Sequence, residues 1–154
     1  MKLYLYDYQC GECSCGYKVP HLGCKYGEFL LRDEYGNLAY LNALESTAFH
    51  DVSHIVDQSG LLVNASPRKV SQLKQAIITI VSDRSSDGGL YEIGKKAKCP
   101  NCGSTNVIVS GPTVPAQTLD VTVERVTFNA WENLSPQEKK SLVLKSLKKC
   151  LNLN

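Results

Sequence analysis

Hydrophobic and polar positions change period several times along this chain. From Leu3 to Tyr8 they alternate, with Leu3 and Leu5 on one face and Tyr4, Tyr6 and Tyr8 on the other, which predicts a strand. A return strand is expected from Tyr17 to Val19. Pro20, Gly23 and Gly27 then punctuate a loop before a short strand near Glu28 to Arg32. Asp33-Glu34-Tyr35-Gly36-Asn37 is a turn signal, and Leu38 to Leu41 pairs back as a hairpin. The period then becomes helical. A helix is expected from Asn42, with Asn42 as cap and Glu45 at the capping-box position, and with Leu44, Ala48, Val52, Ile55 and Val56 as its buried stripe. Gly60 ends it. A second helix opens at Ser66-Pro67 and buries Val70, Leu73, Ile77, Ile80 and Val81.

Past Val81 the pattern returns to strands. Ser82 to Gly89 reads as a polar loop, with Ser85-Ser86-Asp87-Gly88-Gly89 merely flexible. Leu90 to Ile93 is a strand, and Asn106 to Ser110 is its matching return strand. Gly111-Pro112 and Pro115 mark a linker. Leu119 to Phe128 is the longest strand candidate, with a change of phase near Glu124-Arg125 that suggests a bulge or burial on both faces. The last helix has full start signals: Ser135 as cap, Pro136 in the first turn and Glu138 closing a capping box. Val143, Leu144, Leu147, Cys150 and Leu151 form its apolar face, opposite Lys145, Lys148 and Lys149. Trp131, just before this helix, is expected as a core anchor.

Composition bounds what these elements build. The chain has 154 residues, 43% of them hydrophobic and 21% charged, enough to bury one core without long disorder. A single domain over 1–154 is expected. The net charge of +2, from 17 basic and 15 acidic residues, gives no general argument for nucleic acid. No apolar run approaches the ~20 residues of a membrane span, and the N-terminal segment reaches Asp7 too soon for a signal-peptide apolar region. The expectation is a soluble cytoplasmic protein without membrane association. There its seven cysteines stay reduced, so their spacing points to metal or catalysis before disulfides.

That spacing is informative. Zinc takes four tetrahedral ligands, and two thiolates with two residues between them occupy two corners from one tight turn. Cys99-Pro100-Asn101-Cys102-Gly103 has the pair, a proline to stiffen the turn and a glycine that tolerates positive φ. Cys10-Gly11-Glu12-Cys13 has the same gap, also directly after a strand. Together they offer four thiolates to one structural zinc ion, with no position left for water. Cys15-Gly16 carries the glycine that Cys13 lacks, so Cys15 is the alternative to Cys13; spacing favours Cys13. Cys24, three residues after His21, is a further candidate ligand whose blander reading is a small buried thiol, and Cys150 reads as core. A redox role for either C-x-x-C needs the motif to open a helix, and here strand-like or turn-like sequence follows both.

The order strand, Cys10-x-x-Cys13, long insertion, strand, Cys99-Pro100-Asn101-Cys102-Gly103-Ser104, strand resembles the zinc-ribbon proteins of bacteria and their phages. The resemblance covers roughly 3–23 and 90–110. It implies two knuckles on hairpins sharing one zinc, and it implies a site without a specific job, because zinc ribbons serve in transcription, translation, nucleic-acid processing and as structural clips. The insertion near 24–89, with its two helices, departs from the pattern.

Two other constellations carry chemistry. His50 and His54 stand one helical turn apart, with Asp57 beyond, but Asp51 replaces the glutamate of H-E-x-x-H and no third ligand follows; a solvated helix face is the plainer reading. Basic residues cluster at Lys95, Lys96 and Lys98, at Arg68, Lys69 and Lys74, and in the last helix, while Tyr4, Tyr6, Tyr8, Tyr17 and Tyr26 lie near the first knuckle. Such a mixture can hold single-stranded nucleic acid, or simply fill strand faces and keep helices soluble. The sequence therefore predicts an α+β fold: a small antiparallel sheet carrying a zinc ribbon (halves 3–23 and 90–110), a helical insertion (24–89) and a C-terminal strand and helix (116–154). Its expected role is a non-enzymatic binding module for a protein or nucleic-acid partner, with no small-molecule substrate evident. The rival is an enzyme, metal-dependent through His50 and His54 or redox-active through a C-x-x-C.

Overall fold

The computed structural model describes residues 1–23 and 25–153, and it is α+β. The alternating N-terminal segment forms β1 (Lys2–Cys10), which turns through the first cysteine pair into β2 (Gly16–His21). The two are antiparallel, with Tyr8 opposite Tyr17 and Tyr4 opposite His21. On its other edge β1 has two partners, both antiparallel. Its C-terminal half pairs with β6 (Val107–Pro112) and its N-terminal half with β7 (Thr118–Asp120). A bulge between Gln9 and Cys10 re-aims the strand end at the first knuckle.

A second sheet has four strands. The hairpin read from the sequence is β3 (Glu28–Arg32) with β4 (Leu38–Asn42), flanked by β5 (Glu92–Ile93) and, parallel to β4, β8 (Glu124–Arg125). Against this sheet lie α1 (Thr47–Gln58), α2 (Pro67–Val81), the single turn α3 (Asn129–Glu132) and α4 (Pro136–Cys150). The continuous hydrophobic core belongs to this half: Leu31 and Leu41 from the sheet meet Val52, Ile77, Trp131, Val143 and Leu147. Trp131 is the anchor expected, 2% exposed. Leu3, Val19 and the buried cysteines of the first sheet lie outside that cluster.

Several local expectations change. Helix α1 starts one turn later than predicted, because Asn42 ends β4 and Ser46 takes the capping role, its Oγ accepting from Phe49 N–H at 3.2 Å. Glu45 therefore closes no capping box and faces Arg125 at 3.5 Å instead, while Leu44 lies before the helix and is exposed. On α2 the buried face includes Ile78 and not Ile80, which is 43% exposed. Helix α2 packs against both α1 and α4, so its buried arc turns toward the Ile78 side. The long strand expected over Leu119 to Phe128 is two short ones, β7 in the first sheet and β8 in the second. The phase change near Glu124-Arg125 is where the chain changes sheet. Likewise β6 returns against β1, not against β5, which belongs to the other sheet.

The caps on α2 and α4 are as read, including the full Ser135–Glu138 capping box. The loop 82–89 is tied down rather than loose. Asp83 accepts from the N–H groups of Asn129 and Ala130 at the start of α3, and Ser85 N–H donates to Gly89 O at 2.9 Å. Among the described residues no helix is long and apolar enough to cross a membrane.

Candidate metal centre

The two cysteine pairs fold into the same turn. In the first, Cys10 N–H donates to Cys15 O (3.0 Å) and Ser14 N–H to Cys10 O (3.1 Å). In the second, Cys99 N–H donates to Ser104 O and Gly103 N–H to Cys99 O, both at 2.8 Å. Each turn needs one residue in the left-handed region directly after its second cysteine. Gly103 fills it at φ 74° without steric cost, and Ser14 fills it at φ 56°. The first knuckle thus closes on Cys13 with a non-glycine residue, and the glycine after Cys15 is not needed for it.

Four sulfurs converge: those of Cys10, Cys13, Cys99 and Cys102 all lie within 4.8 Å of one another. The closest approaches run between knuckles, Cys10 Sγ to Cys102 Sγ at 3.5 Å and Cys13 Sγ to Cys99 Sγ at 3.6 Å. A tetrahedral thiolate site with metal–sulfur bonds of about 2.3 Å has edges of about 3.8 Å, so the cluster is of the size that holds such an ion. Cys10 and Cys99 are buried, Cys13 is half-buried and Cys102 is exposed. Four cysteines placed this way can bind a metal ion. Cys15 is not one of the four; its thiol points at the carbonyl of Gly16, and burial, then the charges of Cys99 and Cys13, push its ionisation up.

The electrostatics fit a cation. A hydrogen bond from the Asn101 side chain, then one from the Cys15 backbone, lowers the Cys13 thiol to about 6. Cys102 goes the other way. The Ser104 backbone favours its thiolate, but the sulfurs of Cys10 and Cys13 outweigh it and raise the thiol to about 12. Thiolates this close repel, so they share protons until a dication neutralises them. Close by, the Tyr17 hydroxyl is buried with no hydrogen-bond partner among the described residues, its ionisation raised by burial and then by the charges of Cys99 and Cys10. It is a donor without an acceptor beside sulfurs that accept when ionised.

The knuckles are also bound to one another. Gly11 N–H donates to Asn106 O at 2.8 Å, and Asn106 Nδ2 donates to Glu12 Oε1 at 2.9 Å. A Cβ on Gly11 would lie 2.7 Å from that Nδ2, so any larger residue there displaces the Asn106 side chain.

The other candidates are not gathered into a site. His50 Nε2–H donates to Leu44 O at 3.0 Å, and His54 is exposed. The acids beside them serve ion pairs between helices, Asp51 with Lys139 at 3.1 Å and Asp57 with Lys74 at 2.7 Å. Cys150 is half-buried against the helical core, and Cys24 lies outside the described residues. His21 joins the tyrosines: its ring stacks on Tyr6 with centroids 4.3 Å apart and its Nε2 meets Tyr8 Oη at 3.0 Å. Tyr6, Tyr8 and Tyr17 are thus half-buried in a packed face, while Tyr26 is 91% exposed. Lys95 pairs with Glu92, and Lys98 Nζ donates to Glu34 O at 2.8 Å. Sequence reasoning missed the parts of Ser14 and Asn101, and placed Tyr17 near the first knuckle without its unpaired hydroxyl, because only proximity in the fold reveals these.

Comparison with protein-family models, curated proteins and solved structures finds no match.

Proposed function

We propose that this chain is a non-enzymatic binding module organised by one structural zinc ion, with Cys10, Cys13, Cys99 and Cys102 as ligands. The convergence of four sulfurs from two turns with the same hydrogen-bond pattern carries this reading. Zinc suits an all-thiolate tetrahedral set, and four thiolates leave no coordination position for water or substrate, which makes the ion structural. It is of the zinc-ribbon kind in its knuckles and departs from it in the second sheet and helices inserted between them. The run Lys95–Lys98, held between β5 and Cys99, gives a nucleic-acid or protein partner a fixed basic edge beside the metal.

The deciding experiment is metal content per chain on protein purified without added metal. Wild type and serine variants of Cys10, Cys13, Cys15, Cys99 and Cys102 are compared with a His50→Ala/His54→Ala double variant. One zinc, lost from each of the four ligand variants and kept in Cys15→Ser and in the histidine variant, is the expected result. No zinc in wild type refutes the reading, and a metal equivalent lost with the histidines moves the site to α1.

A further inference from the structure

Strand β3 ends on Arg32. The side chain is half-buried, and among the described residues it makes neither an ion pair nor a hydrogen bond. A guanidinium presents five N–H donors in a rigid fork, and this half-buried one has donors left to offer a ligand. Burial accordingly lowers its proton affinity, while Tyr8 and Asp33 partly offset this. Arg32 opens onto a cleft of about 420 Å³, within the size range of small-ligand sites. The chain leading into the second knuckle lines it too, with Lys95, Lys96 and Lys98.

Four cations and three carboxylates line this cleft, but the carboxylates are engaged. Asp33 accepts from the backbone of Tyr35 and Asn37, Glu34 Oε2 accepts from Leu90 N–H at 3.0 Å, and Glu92 pairs with Lys95. Arg32, Lys96 and Lys98 are left without a carboxylate partner among the described residues. Tyr35, 64% exposed, lines the same cleft and offers a face on which a base can stack. Arg32 and Lys96 line this cleft together with Lys98, whose Nζ also donates to Glu34 O; cations so placed suit a multiply charged oxyanion, and a planar guanidinium fork matches phosphate oxygens two at a time.

We propose that this cleft binds a phosphate group of a nucleotide or of a nucleic-acid strand, gripped by the Arg32 fork and flanked by Lys96 and Lys98. The proposal rests on the reading of the chain as a binding module and not on the metal.

The test is titration at low salt with two probes, ATP and a short fluorescent oligothymidylate, with zinc content measured on every sample. Arg32→Gln and Lys96→Gln/Lys98→Gln are each expected to weaken binding by about tenfold or more, the worth of one charge-assisted hydrogen bond. Lys148→Gln/Lys149→Gln on α4 is expected to bind within about twofold of wild type, as long-range surface charges are screened. For the oligonucleotide, the slope of log affinity against log salt should flatten by about 0.7 for each phosphate no longer neutralised. Binding of ATP that competes with the strand assigns a nucleotide site, and binding of the strand alone assigns a nucleic-acid site; both support the proposal. Failure of wild type to bind either probe overturns it, as does an Arg32→Gln protein that binds like wild type. Should Arg32→Gln not fold, the double lysine variant, altered only at exposed positions, decides. Phosphate binding by a wild type without zinc would sink the metal reading and leave this one standing.

Discussion

Asp33 is the acid whose removal should cost this fold most. It is 2% exposed, yet its carboxylate is fully used. Oδ1 accepts from Tyr35 N–H at 2.9 Å and Asn37 N–H at 2.8 Å, and Oδ2 accepts from Asn37 Nδ2 at 2.8 Å. These bonds set the β3–β4 turn, and Gly89 brings the loop 82–89 against the same group, where an added Cβ would lie 2.6 Å from Oδ2. Hydrogen bonds to a charged acceptor contribute about 1.5–3 kcal/mol each. The turn is partly open to water, so roughly half of the three-bond sum is expected to survive, about 3–4 kcal/mol for Asp33→Ala. Against a total stability of about 5–15 kcal/mol that is a large share, and it shifts the melting temperature by about 10 °C. The pH profile gives an independent check. Burial raises the Asp33 ionisation, but hydrogen bonds from Ser85, Asn37 and Tyr35 more than reverse this, so its folded value lies below 3.8. A depressed carboxylate contributes stability that is complete above its unfolded value and is lost as pH falls through its folded value. Urea melts of wild type and Asp33→Asn should therefore differ most at pH 6–7, well above the unfolded value of about 3.9, and converge as pH falls through the folded one. A loss under about 0.5 kcal/mol for Asp33→Ala, or a gap that persists at acid pH, refutes the argument.

Removing metal with a chelator should loosen the first sheet while leaving the helical circular-dichroism signal largely intact, because the helix core contains no residue of that sheet; a parallel collapse of both signals counts against this. Gly11→Ala drives a methyl into the Asn106 side chain that bridges the knuckles, and overpacking of this kind costs about 1–3 kcal/mol, read as a lower melting point and weaker metal retention. On α2, Ile78→Ala should cost about 2–5 kcal/mol and Ile80→Ala less than about 1, a contrast that urea denaturation resolves and that the reverse order would contradict.

The metal candidates were legible because their chemistry is local. Two-residue gaps after strands specify which thiols can share an ion, and Cys10, Cys13, Cys99 and Cys102 do come together. The caps at Ser66 and Ser135 were legible for the same reason: their partners lie three residues away. What sequence could not show is what depends on distant pairing. The strand before the second knuckle joins the other sheet, and nothing in Leu90 to Ile93 indicates which edge it will meet. Asn42 and Ser46 are both good caps, and the choice fell to β4, whose pairing of Glu28 with Asn42 holds that residue extended. The glycine after Cys15 made it the alternative to Cys13, and the spacing that favoured Cys13 prevails because Ser14 adopts the left-handed conformation itself. Asp33 looked like a turn residue and Arg32 like a strand end; their burial arises only when the loop 82–89 and the segment 94–98 close over them.

That last segment joins the cysteine cluster to the second sheet over a short stretch of chain. Ile93 is fixed to Leu31 by strand pairing, and six residues later Cys99 is buried among the sulfurs. Between them Ala97 is buried, and Lys98 is tethered to the Glu34 carbonyl of the β3–β4 turn. A chain held at both ends over so few residues has little freedom left to lose when a ligand arrives. A metal ion that fixed Cys99 would hold Lys96 and Lys98 in place beside Arg32, so a metal-free protein should retain the cleft's charges but lose their spacing, and with it the part of the affinity that preorganisation provides.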